Sequence, residues 1–246
     1  MIDYVIDKEY PYSYGGYVMK AIPTPENRTP KDVADTLYIK AIQNLSDGKA
    51  EEGRRGLELS YELGDLDSGN TLAYGYDSGW FGRPDYQKAL ALYRALVRKL
   101  HRTAMRNYAN CLLLGVGTRK DHEQGLYWLR EAADRGDAVA MANVASLLAF
   151  GDVHPHDYKR AKSYVVKSVE AGCPEGANTL ARMYEVGVCY RQNPKKAFQW
   201  YNAACQGEKN PVFLRNLAQC YKHGIGVEMD EAMAADLRKQ ANVMDR

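Results

Sequence analysis

A glycine recurs at an almost constant interval along this chain, and that interval limits the possible folds more than any other feature. Five glycines are separated by 36, 36, 36 and 37 residues, and an alanine stands six positions before each of them. The glycines are Gly79, Gly115, Gly151, Gly187 and Gly224, and the alanines are Ala73, Ala109, Ala145, Ala181 and Ala218. A constant period of this length is typical of stacked repeats, each of which buries its core only against its neighbours. The period therefore predicts a long binding surface rather than a catalytic pocket.

Each period contains the pattern of two helices. Helix A carries apolar residues at positions i, i+1 and i+4, as in residues 180–187, and its closing glycine is predicted to be a left-handed cap. Helix B is predicted to begin with a small residue, followed three positions later by a large anchor and four positions after that by a smaller residue. The small starts are Ala89, Gly125, Ala161 and Ala197, the anchors are Leu92, Trp128, Tyr164 and Trp200, and the third set is Leu96, Ala132, Ser168 and Ala204.

The frame predicts an all-α fold, an α/α superhelical solenoid of about six helix pairs. The pairs are expected at about 31–65, 66–101, 102–137, 138–173, 174–209 and 210–246. Residues 1–30 do not share the period, because they place five tyrosines among prolines and glycines. This short irregular or extended segment is predicted either to cap the first helix pair or to form an arm that touches a partner.

The balance of charge gives no reason to expect nucleic acid or a membrane surface as a partner. There are 33 basic and 31 acidic residues, for a formal net charge of +2. The most apolar stretch, residues 138–150, is too short to cross a bilayer and suits a buried helix. The first nine residues are acidic where a secretory signal is basic, so a cytoplasmic location is expected.

The residue types that usually carry enzyme chemistry are scattered. The five cysteines are an odd number without a CxxC pair, so they are predicted to be buried or surface thiols; a disulfide ladder would need an exported chain. Residues 115–120 lack the spacing of a phosphate-binding loop, and residues 154–157 offer two histidines without further metal ligands. We therefore expect no catalytic residues, no metal and no cofactor.

Two segments carry a resemblance to a known family. Residues 143–151 in helix A and residues 124–136 in helix B resemble the Sel-one-like repeat, a 36-residue relative of the tetratricopeptide repeat, and residues 196–201 repeat the second motif. The resemblance covers roughly residues 31–241. It implies a right-handed superhelix whose A helices line a concave groove that binds proteins or peptides. It also implies relatives in bacterial signalling, secretion and toxin neutralisation.

One stripe of helix A is expected to face that groove, because the opposite side of each helix faces the core. In the middle pair the stripe is small and fairly apolar, with Val139, Ala142, Ser146 and Ala149. Elsewhere it is polar, and its arginines could pair with carboxylates of a partner, although neighbouring acids could equally neutralise them. The predicted partner-binding residues are Asp67, Asn70, Tyr74, Asp77, Arg106, Asn110, Asn178, Arg182, Glu185, Arg215, Gln219 and Lys222. The alternative is a solvated helix face without a ligand.

These features favour a non-enzymatic interaction scaffold that captures a protein or peptide. The alternative is a cytoplasmic immunity or inhibitor protein that neutralises one cognate toxin or enzyme. A third possibility comes from the resemblance alone, because some exported, cysteine-rich relatives are linked to β-lactam hydrolysis. Those relatives carry paired cysteines and an export signal, and this sequence shows neither.

Overall fold

The computed structural model describes residues 29–151, 156–208 and 210–244. Within these ranges the chain forms twelve α-helices and no strand, so the all-α prediction is confirmed. The helices are α1 (Pro30–Ser46), α2 (Ala50–Glu62), α3 (Leu66–Ser78), α4 (Tyr86–Arg98), α5 (Arg102–Leu114), α6 (His122–Asp134), α7 (Ala138–Phe150), α8 (Tyr158–Glu170), α9 (Pro174–Val186), α10 (Pro194–Gly207), α11 (Pro211–His223) and α12 (Glu231–Met244). The predicted cap or arm, apart from its last two residues, lies outside the described residues. No helix in the described ranges is long and apolar enough to cross a bilayer.

The described residues fall into two compact units, one ending at Glu131 and the other beginning at Ala132. In the first unit each helix from α1 to α5 packs against the next. In the second unit each helix from α7 to α12 does the same, and α7 also contacts α9. The single domain expected over residues 31–246 stays a prediction.

The connection from helix A to helix B has the same construction in the five repeats that carry the recurrent glycine. An aspartate or asparagine lies six residues after the recurrent glycine, and its backbone N–H donates to the carbonyl nine residues earlier at 2.8–3.2 Å. In all five the side chain accepts from the third backbone N–H of helix B at 2.8–3.0 Å, as an N-cap does. These residues are Asp85, Asp121, Asp157, Asn193 and Asp230. Helix B therefore begins three residues earlier than predicted, and Ala89 is its fourth residue.

Four of the five recurrent glycines end helix A in the left-handed conformation, as predicted. Their φ angles lie between 66° and 80°. Gly151 differs, because its φ of −78° and ψ of 149° are extended, so the prediction of a left-handed cap is wrong there. Its need for glycine is steric instead: an added Cβ would lie 2.5 Å from the carbonyl oxygen of Leu147.

The core follows the predicted alternation, with one shift along helix B. All five helix A alanines are fully buried, and so is the small residue in the last predicted position of helix B. The large anchors, such as Trp128 and Trp200, are only half-buried. The following residue is enclosed instead, as with Leu129 and Tyr201. One residue turns a helix by about 100°, so the anchors lie on the flank of the buried stripe rather than at its centre.

Candidate partner-binding faces

The first candidate surface, the α3–α5 face, comprises the predicted residues Asp67, Asn70, Tyr74, Asp77, Arg106 and Asn110. Side chains on α3 and α5 hold it together. Asn107 Nδ2 donates to Asn70 Oδ1 at 3.1 Å. His101 Nδ1 accepts from the backbone N–H of Ala104, which leaves the ring proton on Nε2 to donate to Asp67 Oδ1 at 3.1 Å. Two predicted residues, Asn70 and Asp67, therefore help to fix α5 against α3.

Exposure differs strongly within this face. Asp67 is exposed, whereas Tyr74, Asp77 and Asn110 are half-buried. Arg106 is 4% exposed and engaged in contacts of its own, so the structure places it in the interior rather than on an open surface. Burial at this position depends on neighbouring segments, which a helical frame alone cannot show.

Trp80 is an aromatic residue of this region that the helix A frame missed. It follows the capping glycine and so lies outside the stripe of α3. Its ring meets the edge of Tyr74 with centroids 5.1 Å apart, and it remains 40% exposed. An aromatic residue directly after the recurrent glycine was the available signal.

A buried polar cluster lies beneath the α3–α5 face. Tyr93 of α4 is fully buried, and its hydroxyl has no hydrogen-bond partner in the described part of the chain. Burial raises the pKa of Tyr93, and the charge of Asp77 raises it further. Burial also raises the pKa of Asp77 and, together with that carboxylate, raises the pKa of Cys111 to about 12. The carboxyl, phenol and thiol therefore lie close enough to influence one another.

The second candidate surface, the α9–α11 face, comprises Asn178, Arg182, Glu185, Arg215, Gln219 and Lys222. An amide pair again joins successive A helices, because Asn216 Nδ2 donates to Asn178 Oδ1 at 2.8 Å. Arg182 is exposed, and its guanidinium carbon lies 4.1 Å from the ring centroid of Phe150 at the end of α7. Gln219 and Lys222 are also exposed. Arg215 is half-buried and has contacts of its own.

A buried tyrosine forms a hydrogen bond with the carboxylate of Glu185. The hydroxyl of Tyr201 donates to Glu185 Oε2 at 2.6 Å. Burial raises the pKa of Tyr201, and this bond raises it further. Burial raises the pKa of Cys220 to about 12, with a smaller contribution from Glu185. Glu185, Tyr201 and Cys220 thus form the same kind of cluster as Asp77, Tyr93 and Cys111.

The small residues predicted for the middle pair lie on α7. Ala142 and Ala149 are buried, and Val139 and Ser146 are half-buried. They leave α7 with little exposed polar surface on the predicted stripe.

The repeat pattern identifies the family of the chain. The Sel1 repeat matches five stretches, which are residues 69–97, 103–137, 138–173, 174–208 and 211–241. The chain belongs to the Sel1 repeat family. The resemblance seen in the sequence is thereby confirmed, and Sel1 repeats generally mediate protein–protein interactions.

A curated relative of known role is longer than this Sel1 repeat chain. The chitin synthase regulator SKT5 of Saccharomyces cerevisiae is 28% identical over 230 residues, which cover 89% of this chain and 33% of SKT5. The chain therefore spans about a third of that relative.

Two solved structures share the fold. A Sel1 repeat protein from Oxalobacter formigenes superposes with a TM-score of 0.67 at 22% identity, covering 85% of each chain. The immunity protein Pa5087 from Pseudomonas aeruginosa gives a TM-score of 0.63 at 19% identity, covering 86% of this chain and 82% of its own. These likenesses confirm the predicted solenoid fold of stacked helix pairs.

Within the Sel1 repeats, the two buried clusters occupy equivalent positions. Glu185 and Tyr201 lie 108 positions after Asp77 and Tyr93, which is three repeats. Arg182 likewise occupies the position of Tyr74. The first and fourth matched repeats therefore share an acid and a buried tyrosine, but they differ in the residue one turn before the acid.

An open cleft of about 620 Å³ lies away from the predicted stripe, in the second unit. It is formed by the start of α8 and the loop between α9 and α10, which is why a search along helix A missed it. Its charged lining residues are all cations, Lys159, Lys162 and Arg191, and the Lys162 ammonium lies 4.7 Å from the ring centroid of Tyr190. The sequence could have indicated this cleft through the basic residues Lys159 and Lys162 at the start of α8 and Arg191 after α9.

All five cysteines are unpaired thiols, as predicted. Cys111, Cys173 and Cys220 are buried, while Cys189 and Cys205 are half-buried. No group of three or more metal-ligating side chains occurs among the residues that the structure describes. The hypothetical ligand His154 lies outside them.

Proposed function

We propose that this Sel1 repeat chain is a non-enzymatic module that captures a partner polypeptide through exposed polar side chains of its A helices. The α9–α11 face carries the proposal. Arg182, Gln219 and Lys222 are exposed there on two A helices that an amide pair joins. The Arg182 guanidinium rests on Phe150, and such stacking reduces the side-chain entropy that binding would cost. The general role of Sel1 repeats in protein–protein interaction supports the same reading.

A second candidate is an immunity protein that inhibits one cognate toxin. The structural likeness to Pa5087, which covers most of both chains, favours it. Both candidates use a protein partner and differ in its nature, since an immunity protein inactivates an enzyme or toxin by binding it. Rescue of cells that express a candidate toxin would distinguish an inhibitor from a scaffold.

A charge-reversal pair tests the proposal. Partners captured from an extract of the source organism are identified by mass spectrometry, purified and titrated calorimetrically against the protein. The double variant Arg182→Glu/Lys222→Glu is expected to weaken binding at least roughly tenfold, because two donors become repulsive acids. The control Lys167→Glu/Lys239→Glu makes the same charge change at exposed positions of α8 and α12 and should bind like the wild type.

Thermal denaturation accompanies the binding measurement. Both variants should melt close to the wild type, because exposed charges contribute little to stability. Unchanged affinity in Arg182→Glu/Lys222→Glu would remove the α9–α11 face as the binding surface.

A further inference from the structure

Asp77 is a carboxylate without a cationic partner in the part of the chain that the structure describes. It is half-buried near the end of α3, and within the described ranges it makes no hydrogen bond or ion pair. Burial raises the pKa of Asp77, and no positive charge among the described residues lowers it. Partly buried carboxylates usually have a donor or a cation, because losing water without compensation is costly.

The hydroxyl of Tyr93 is a second unsatisfied group at the same place. Tyr93 is fully buried on α4 without a hydrogen-bond partner in the described part of the chain. Its equivalent, Tyr201, donates to Glu185, and Glu185 stands at the position of Asp77. The charge of Asp77 acts on the pKa of Tyr93, so the two side chains lie near each other, but no hydrogen bond joins them and the aspartate is one methylene shorter than the glutamate.

Two aromatic rings stand beside these groups. Tyr74 lies one turn before Asp77 on the same face of α3. Its ring contacts Trp80, which is 40% exposed and therefore within reach of a ligand. Aromatic rings next to a carboxylate are the combination that recognises a cationic side chain.

The equivalent position in the fourth repeat shows what the first repeat lacks. There Arg182 takes the position of Tyr74, so the chain places a cation one turn from Glu185. Arg182 also lowers the pKa of Tyr201, although burial outweighs it and the net shift is upward. In the first repeat an aromatic residue replaces that arginine. Among the residues that the structure describes, no cation takes the place of Arg182 beside Asp77.

We propose that Tyr74, Asp77 and Trp80 form a site for an arginine or lysine side chain of a protein partner. This site rests on the proposed function, since the cation belongs to a captured polypeptide. A guanidinium fits best, because its N–H groups can bond the Asp77 carboxylate while its plane stacks on a ring. Arg106 on α5 is buried, has contacts of its own and acts on the pKa of Tyr93, whereas the shift of the Asp77 pKa comes from burial.

The test uses the indole N–H signals of the three tryptophans in a ¹⁵N-labelled full-length protein. The probe is the pentapeptide acetyl-Gly-Gly-Arg-Gly-Gly-amide, and its control carries citrulline, a neutral analogue of arginine. We expect the Trp80 signal to shift saturably with the arginine peptide, in the millimolar range, while Trp128 and Trp200 stay unchanged. The citrulline peptide should shift Trp80 little.

Two variants complete the test. Asp77→Asn should weaken the arginine response of Trp80 roughly tenfold or more, whereas Glu185→Gln, the equivalent change three repeats later, should leave it unchanged. An equal response to citrulline, or an unchanged response in Asp77→Asn, would overturn the cation site.

The identified partner separates this inference from the proposed function. A partner that binds Asp77→Asn as tightly as the wild type, but loses affinity for Arg182→Glu/Lys222→Glu, overturns the cation site and leaves the proposed function standing. A Trp80 response in a protein that captures no partner supports the site and contradicts the proposed function.

Discussion

The hydroxyl of Tyr201 donates a 2.6 Å hydrogen bond to the carboxylate of Glu185, which joins α10 to α9. Three repeats earlier, Tyr93 occupies the same position without any such bond in the described part of the chain. The acid at the equivalent position is Asp77, whose side chain is one methylene shorter than that of a glutamate. The equivalent buried tyrosine therefore has a hydrogen-bond acceptor in one repeat and, among the described residues, lacks one in the other.

Removing the hydroxyl of Tyr201 should lower the stability of the protein more than removing the hydroxyl of Tyr93. Tyr201→Phe is expected to lower the free energy of unfolding by about 1.5–3 kcal/mol, the usual range for a hydrogen bond to a charged group. Tyr93→Phe should be neutral or slightly stabilising, because it removes a buried hydroxyl without a partner. Urea denaturation followed by circular dichroism measures both. Equal losses in the two variants would contradict the difference between the sites.

Asp77→Glu should create the bond that Tyr93 lacks. The longer side chain is expected to reach the hydroxyl and raise the free energy of unfolding by about 1 kcal/mol. The gain should vanish in a Tyr93→Phe background, which a double-mutant cycle by urea denaturation detects. A gain that persists without the hydroxyl would have another cause.

The stability of the protein should depend on pH through Asp77. Burial raises the pKa of this carboxyl in the folded chain above the ordinary aspartate value of about 3.9. The folded state therefore binds the proton more tightly, and the stability that Asp77 contributes in acid is lost as the pH rises through its folded pKa. Asp77→Asn cannot ionise, so it should be more stable than the wild type at neutral pH. The difference in stability between Asp77→Asn and the wild type should shrink as the pH falls towards about 4.

Urea denaturation between about pH 4 and 7 measures this dependence. Tyr93 and Cys111, which face Asp77 from α4 and α5, have pKa values raised by burial and stay neutral in that range. If the difference in the free energy of unfolding between the wild type and Asp77→Asn does not change with pH, Asp77 is not the titrating group.

The cysteine thiols should react slowly in the folded protein. Burial raises the pKa of all five, to about 12 for Cys111 and Cys220 and to about 11 for Cys173 and Cys205. The thiolate is the reactive form, so Ellman's reagent near neutral pH should modify only the half-buried Cys189 and Cys205, and those slowly. All five should react in denaturant. Fast reaction of Cys111 or Cys220 in the native protein would show that its repeat opens.

The fold followed from the sequence because local patterns determine it. The recurrent alanines are small where two helices come close, and the period alone gives their spacing. The aspartates and asparagines that cap helix B carry the same periodic signal, and attention to them would have corrected its predicted start. Gly151 shows the limit of the pattern, because a recurrent glycine can serve close approach rather than a left-handed turn.

The candidate site followed from the sequence only in part. The frame placed Arg182 and Lys222 on an exposed side of helix A, where the structure has them. It could not show that Arg106 is buried, because burial depends on what packs over a helix and not on the helix itself. Nor could it show that the Tyr93 hydroxyl lacks a hydrogen bond to Asp77, because that contact would join two different helices.

The connections between helix A and helix B have one consequence for how such a chain can change. Each runs six residues from glycine to cap and closes with the same backbone bond, so a substitution on an outward-facing A position disturbs no junction. Whole blocks of one period can be exchanged between homologous chains with their joints intact. Substitutions at single outward-facing positions can thus change which partner is bound while the helical architecture stays the same.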